Sequence, residues 1–175
     1  MKVILNAEQI GTALDDLVNR IASDISSPRS IAVIGIRSRG EIIAQRLSEK
    51  LSAKLGETIA CGTLDITLYR DDLNDPRGNA QPTVRSTEIP FDIHEKIIIL
   101  VDDVLYTGRS IRAAMDALID FGRPKAIRLA VLVDRGGHEL PIQADYVACK
   151  VDIKPSQSVE VHLVETDGKD QVIVE

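Results

Sequence analysis

The sequence predicts an α/β fold, a parallel sheet flanked by helices. Two observations carry this. Short apolar runs rich in β-branched residues alternate along the chain with longer segments of helical periodicity, the pattern of strand–helix–strand units. The most apolar run, Lys96-Ile97-Ile98-Ile99-Leu100-Val101, is continuous rather than alternating. A central strand buried on both faces requires such a run.

The elements follow in order. Asn6 can cap a helix, with Gln9 at the capping-box position. Ile10, Leu14, Leu17, Val18, Ile21 and Ile25 then recur at helical spacing, predicting a first helix over residues 7–25. Ser26-Ser27-Pro28 ends it. Ile31-Ala32-Val33-Ile34-Gly35 reads as a buried strand, and Gly40 opens a second helix with Ile43, Leu47 and Leu51 on its apolar face. Thr63-Leu64-Asp65-Ile66-Thr67-Leu68-Tyr69 alternates and predicts another strand. Residues 70–88 are polar and aperiodic, as functional or disordered stretches are. After the central run, Ile111, Met115, Leu118 and Ile119 mark a helix stopped by Gly122 and Pro124. Leu129-Ala130-Val131-Leu132-Val133 is a further strand leading into the turn Asp134-Arg135-Gly136-Gly137. Two apolar segments, 159–164 and 171–174, flank Asp167-Gly168-Lys169-Asp170 and predict a C-terminal hairpin.

Composition narrows the function. The 175 residues suit one domain spanning 1–175. With 21 Lys+Arg against 27 Asp+Glu, the net charge is −6, which disfavours nucleic-acid binding through bulk positive charge. No apolar run approaches the ~20 residues of a membrane span, and the N-terminus turns polar too soon for a signal peptide. Cys61 and Cys149 lie far apart in no metal-binding pattern, and the 3 His have no H-x-x-x-H spacing. No protein-built metal site is therefore expected. Together these features predict a cytoplasmic chain without membrane contact.

In open α/β sheets, ligands bind outside the carboxyl ends of the strands. After the central strand come Asp102-Asp103-Val104-Leu105-Tyr106-Thr107-Gly108-Arg109-Ser110 and a helix. The two carboxylates can accept hydrogen bonds from hydroxyls. Thr107, Gly108 and Ser110 stand at a helix N-terminus, where backbone N–H groups and the dipole favour an anion. A sugar phosphate matches both features. A P-loop is absent, and the adjacent acids do not match the alternating D-x-D of haloacid-dehalogenase-type phosphatases.

The segment from Ile98 to Ser110 resembles the phosphoribosyl pyrophosphate (PRPP) motif of type I phosphoribosyltransferases. Asp65-Ile66-Thr67-Leu68-Tyr69-Arg70-Asp71-Asp72-Leu73, Gly35-Ile36-Arg37-Ser38-Arg39-Gly40, Gly122-Arg123-Pro124 and Leu132-Val133-Asp134-Arg135-Gly136 resemble the PyrR family. Its members are pyrimidine-operon attenuation regulators that are also uracil phosphoribosyltransferases. The resemblance implies a type I phosphoribosyltransferase fold with a lid loop, a small hood and a C-terminal hairpin. It implies that Asp102 and Asp103 hold the ribose hydroxyls, and that Thr107, Gly108, Arg109 and Ser110 hold the 5′-phosphate. Arg37, Ser38, Arg39 and Gly40 would form the pyrophosphate loop, and Val133, Asp134 and Arg135 would read the base. Arg77, in the lid, would meet the pyrophosphate. The implied reaction is uracil plus PRPP giving UMP and pyrophosphate, with Mg²⁺ held mainly by PRPP. The resemblance also implies homo-oligomers and a messenger RNA partner. The first helix carries Asp15-Asp16, so weak or absent RNA binding is expected here. Gly137-His138-Glu139 replaces the family's usual His-Arg, and His138 is read as a solvated loop residue.

Overall fold

The computed structural model describes residues 2–72 and 83–175. The chain runs through β1 (Lys2–Asn6), α1 (Ala7–Asp24), β2 (Ile31–Ile36), α2 (Arg39–Leu55), β3 (Ala60–Leu64), β4 (Ile97–Leu105), α3 (Arg109–Ile119), β5 (Ala126–Asp134), β6 (Tyr146–Lys150), β7 (Val159–His162), the one-turn helix α4 (Val164–Asp167) and β8 (Gln171–Val174). Five strands make a parallel sheet in the order β3-β2-β4-β5-β6. The order reverses between β2 and β4, where an open sheet leaves a crevice at its carboxyl edge.

Alternate residues of the central strands feed two cores. Ile31, Val33, Ile99, Val101 and Leu132 face α1 and α2, whereas Ala32, Ile34, Ile98, Leu100 and Val131 face α3. Both faces are therefore apolar, which explains the unbroken run in β4. Helix α1 starts where the sequence places it. Asn6 Oδ1 accepts from Gln9 N and Gln9 Oε1 accepts from Asn6 N, each at 2.9 Å, so a capping box satisfies two end groups.

Four local readings change. The strand expected over 63–69 instead ends at Leu64 and is followed by a 3₁₀ turn, Thr67–Tyr69. Asp65 breaks the extension, because its Oδ1 accepts from Thr67 N at 3.2 Å and from Thr67 Oγ1 at 2.6 Å, a local turn that competes with the ladder. Strand β4 continues to Leu105, with Asp102 opposite Val131 and Val104 opposite Val133. Asp102 and Asp103 thus sit inside the strand's end rather than beyond it. Ile119 is 67% exposed; the buried stripe of α3 is Ile111, Ala114 and Leu118, and Ile119 lies about 100° round from Leu118.

The fourth change concerns the edges. Strands β1 and β6 were not anticipated. The C-terminal hairpin β7–β8 is antiparallel, and β1 joins it as a third strand against β8. This small sheet covers the α1–α2 core through Val161, Leu163 and Val172. Residues 83–88 return to the main sheet, where Thr63 and Glu88 exchange backbone hydrogen bonds of 2.8 Å.

Candidate active site

A cavity of about 300 Å³ opens at the carboxyl ends of β2 and β4, walled by Arg37, Ser38, Arg39, Asp65, Asp102, Asp103 and Ser110 among others. The switch point of the sheet thus gathers the acid pair, the loop after β2 and the start of α3. A larger hollow of about 510 Å³ lies by the other end of the sheet, at Ile97 and Tyr146. Its polar groups engage one another, with Tyr146 donating to Asp24 at 2.9 Å.

Asp102 is 8% exposed. Burial, followed by the charge of Asp103, pushes its carboxyl well above the usual range. Asp103 N donates to Asp102 Oδ1 at 3.0 Å, and Val104 N donates to Asp103 Oδ1 at 2.9 Å. The backbone therefore fixes both acids, and the buried Asp102 beside the half-buried Asp103 favours a ligand that brings donors or positive charge.

The loop Arg37-Ser38-Arg39-Gly40 connects β2 to α2. The Arg37–Ser38 peptide is cis. Arg37 lines the cavity, yet its donors are engaged: Nε with Ser86 O at 2.8 Å, Nη1 with Glu41 at 2.8 Å, and Nη2 with Thr63 Oγ1 at 3.1 Å. It ties the loop to β3 and to the returning segment 83–88. Arg39 makes one such bond, from Nη2 to Asp167 Oδ1 at 3.1 Å. Ser38 caps α2 without a side-chain bond, and Gly40 lies in its first turn.

At α3, Gly108 adopts φ of +90°, a conformation that favours glycine. Thr107 Oγ1 accepts from Arg109 N at 3.3 Å, and Ser110 reaches the cavity wall. The Arg109 side chain turns elsewhere. It bridges Asp71 at 2.8 Å and Glu139 at 3.0 Å, so of Arg109 only the backbone is turned to the start of α3.

A family model described as phosphoribosyl transferase domain matches residues 4–167. The bifunctional protein PyrR of Deinococcus deserti is 51% identical over 169 residues, 97% of this chain and 91% of that protein. The bifunctional protein PyrR of Bacillus cereus is 49% identical over 172 residues, covering 98% and 96%. The chain belongs to the PyrR family. Among solved structures, the hypoxanthine phosphoribosyltransferase of Trypanosoma cruzi superposes with a TM-score of 0.73 at 18% identity, covering 99% of this chain and 95% of that one. That likeness is one of fold.

The remaining candidate residues divide. Val133 is fully buried and contributes to the α1–α2 core. Asp134 Oδ1 accepts from Gly136 N at 2.9 Å, and His138 Nε2 lies 2.9 Å from the same oxygen. His138 is exposed, as the sequence suggests, and in addition touches the turn through Asp134. The Arg135 guanidinium lies 3.9 Å from the centroid of the Tyr106 ring, a cation–π contact. Arg135 N donates to Leu105 O at 3.0 Å, which ties the turn to the end of β4, but Val133, Asp134 and Arg135 do not line the cavity. Arg77 lies outside the described residues.

Asp65 joins the site although local sequence assigns it no role. It lines the cavity, and its Oδ2 accepts from Arg85 N at 2.7 Å while its N donates to Thr87 Oγ1 at 3.0 Å. Burial opposes its ionisation, but the bonds from Thr67 and Arg85 N and the charge of Arg37 outweigh that and hold it below the usual carboxylate range. Asp71, Glu139 and Asp167 pair with arginines that no local pattern connects to them. Their partners lie 38, 30 and 128 positions away.

Among the described residues, no helix is long and apolar enough to cross a membrane.

Proposed function

We propose that this chain transfers the phosphoribosyl group of PRPP to uracil, giving UMP and pyrophosphate. One observation carries the reading: the acid pair, Ser110 at the α3 N-terminus and the loop residues Arg37, Ser38 and Arg39 wall one cavity at the sheet's switch point. The ribose hydroxyls donate to Asp102 and Asp103. The 5′-phosphate takes the N–H groups of Gly108, Arg109 and Ser110 and the hydroxyls of Thr107 and Ser110. The pyrophosphate lies along Ser38, Arg39 and Gly40, where the α2 N-terminus and the Arg39 charge face it. Arg37 supplies charge and holds the loop in shape. Uracil meets the turn Val133-Asp134-Arg135 through backbone groups of fixed direction, and Arg77 of the lid meets the pyrophosphate.

Uracil N1 bonds to the anomeric carbon as the bond from that carbon to the pyrophosphate oxygen breaks, and the N1 proton passes to the departing pyrophosphate, so no protein nucleophile is required. Catalysis comes from positioning and from stabilising charge on the leaving group. Mg²⁺ neutralises the pyrophosphate charge when it arrives with PRPP. The donor set fits this: Asp102 and Asp103 offer the hard oxygen ligands that would help to hold it.

The PyrR family is bifunctional, and the surface of α1 bears on its RNA side. Asp15 pairs with Lys50 at 2.7 Å and Asp16 with Arg20 at 3.4 Å. Arg20 also donates to Val147 O at 2.8 Å. The positive charges beside this helix are thus engaged within the protein, which supports weak attenuator-type RNA binding.

The test supplies PRPP and Mg²⁺ with uracil, hypoxanthine or orotate in turn and follows nucleotide formation. Product from uracil alone is expected. Product from a purine or orotate alone would overturn the substrate assignment.

A further inference from the structure

The two arginines of the β2–α2 loop differ in what holds them. Arg37 has acceptors for Nε, Nη1 and Nη2. Arg39 has one partner, Asp167 Oδ1, and its buried Nε has none among the described residues. Arg39 therefore carries the uncommitted donors of the loop, aimed by a single carboxylate.

That carboxylate is itself locked. Asp167 Oδ2 accepts from Leu163 N at 2.9 Å and from Thr166 Oγ1 at 2.8 Å, leaving Oδ1 to Arg39. The bond from Leu163 N, then that from Thr166, with the charge of Arg39 adding, brings its pKa down to about 2, so it stays charged at any working pH. Helix α4, which carries Asp167, is pinned in turn. Arg46 grips Glu165 at 2.6 Å and Asp170 at 2.7 Å. Arg39 and Arg46 stand seven residues apart on α2, two turns along one face. The same face thus clamps the α4 segment at one point and receives its carboxylate at the other.

Resting on the phosphoribosyltransferase reading above, we infer that Asp167 is a positioning residue for the transfer, holding Arg39 in the direction of the departing pyrophosphate. The small C-terminal sheet then contributes to leaving-group binding without touching substrate.

The experiment measures, by calorimetry, the affinity of wild type, Asp167→Asn, Arg39→Gln and the double variant for magnesium pyrophosphate, PRPP and UMP, together with kcat and KM for PRPP. Asn keeps an acceptor for Leu163 N but presents no charge to Arg39. Asp167→Asn should weaken pyrophosphate and PRPP roughly tenfold, the weight of one well-aimed charged hydrogen bond, and leave UMP unchanged because it lacks the leaving group. In the Arg39→Gln background the same change should add nothing. Glu165→Gln, which weakens the Arg46 clamp on α4 but touches neither Asp167 nor Arg39, should bind pyrophosphate like wild type. Should Asp167→Asn fail to fold, Asp167→Glu, with the charge moved by one methylene, serves the same comparison. Additive losses, an equal loss for UMP, unchanged affinity or tighter pyrophosphate binding would each overturn the role of Asp167. Wild type that forms no UMP from uracil and PRPP would instead overturn the reaction itself.

Discussion

Gly40 rests directly on the backbone of Asp102. A side-chain carbon at Gly40 would stand 2.7 Å from Val101 O, 3.1 Å from Asp102 Cα and 3.3 Å from Asp102 Oδ1. The first turn of α2 and the acid end of β4 are therefore in contact, and the loop after β2 is registered on Asp102. Gly35 makes the other closure, since a carbon there would stand 2.4 Å from Gly40 O.

Gly40→Ala should act as a wedge between the two halves of the site. Overpacking of this kind costs about 1–3 kcal/mol, and small misplacements of reacting groups cost rate. The expected result is a lower Tm together with a fall of about tenfold or more in kcat/KM for PRPP. Calorimetric melting and steady-state kinetics on the same preparation check it. Wild-type kinetics in a destabilised variant would show that the contact matters to folding alone.

Asp102→Asn should separate stability from activity. Because burial raises the Asp102 pKa, the folded state binds that proton more tightly than the unfolded chain does. Ionised Asp102 therefore opposes folding at pH above its folded pKa, and the penalty fades in acid. Asn retains an acceptor for Asp103 N and removes the like charge. Tm at neutral pH should rise by roughly 2–4 °C, the scale of about 1 kcal/mol in a chain of this length. PRPP affinity should fall about 10–100-fold, as for one lost charged acceptor, and further in the variant that also carries Asp103→Asn. Unchanged PRPP binding in the double variant would remove the acid pair from the site.

Asp65→Asn probes the turn that carries both the 3₁₀ segment and the returning strand. The Asp65 pKa is lowered by folding, so its stabilisation is present above the unfolded value of about 3.9 and is lost as pH falls through the folded one. Wild type should exceed the variant in Tm at neutral pH, and the gap should narrow as the pH drops below about 4. A gap that stays constant across that window would assign the loss to packing rather than to charge.

RNA binding is tested by filter retention of a hairpin from the leader of the protein's own pyrimidine operon, with UMP at physiological salt. A dissociation constant in the non-specific range, weaker than about 1 µM, is expected from the engaged charges around α1. Nanomolar binding would show that another surface supplies the phosphate contacts.

The sequence by itself determined the elements whose signal is local and periodic. The α1 stripe Ile10, Leu14, Leu17 and Ile21, the Asn6–Gln9 cap and the apolar run of β4 each follow from spacing within one segment. So does the placing of Asp102 and Asp103 beside Thr107, Gly108 and Ser110, because a strand end and a helix start a few residues apart must share one edge of the sheet. The short edge strands β1 and β6 escaped, since five residues of mixed polarity become strands only when a neighbour supplies the ladder. Tertiary structure alone decided which charges meet. Nothing near Arg39 in the chain announces Asp167, and nothing near Arg109 announces Glu139. Nor does the sequence tell the engaged Arg37 from the available Arg39. A salt bridge between distant segments has no period and no fixed spacing. It exists because packing of the apolar faces first brings those segments together.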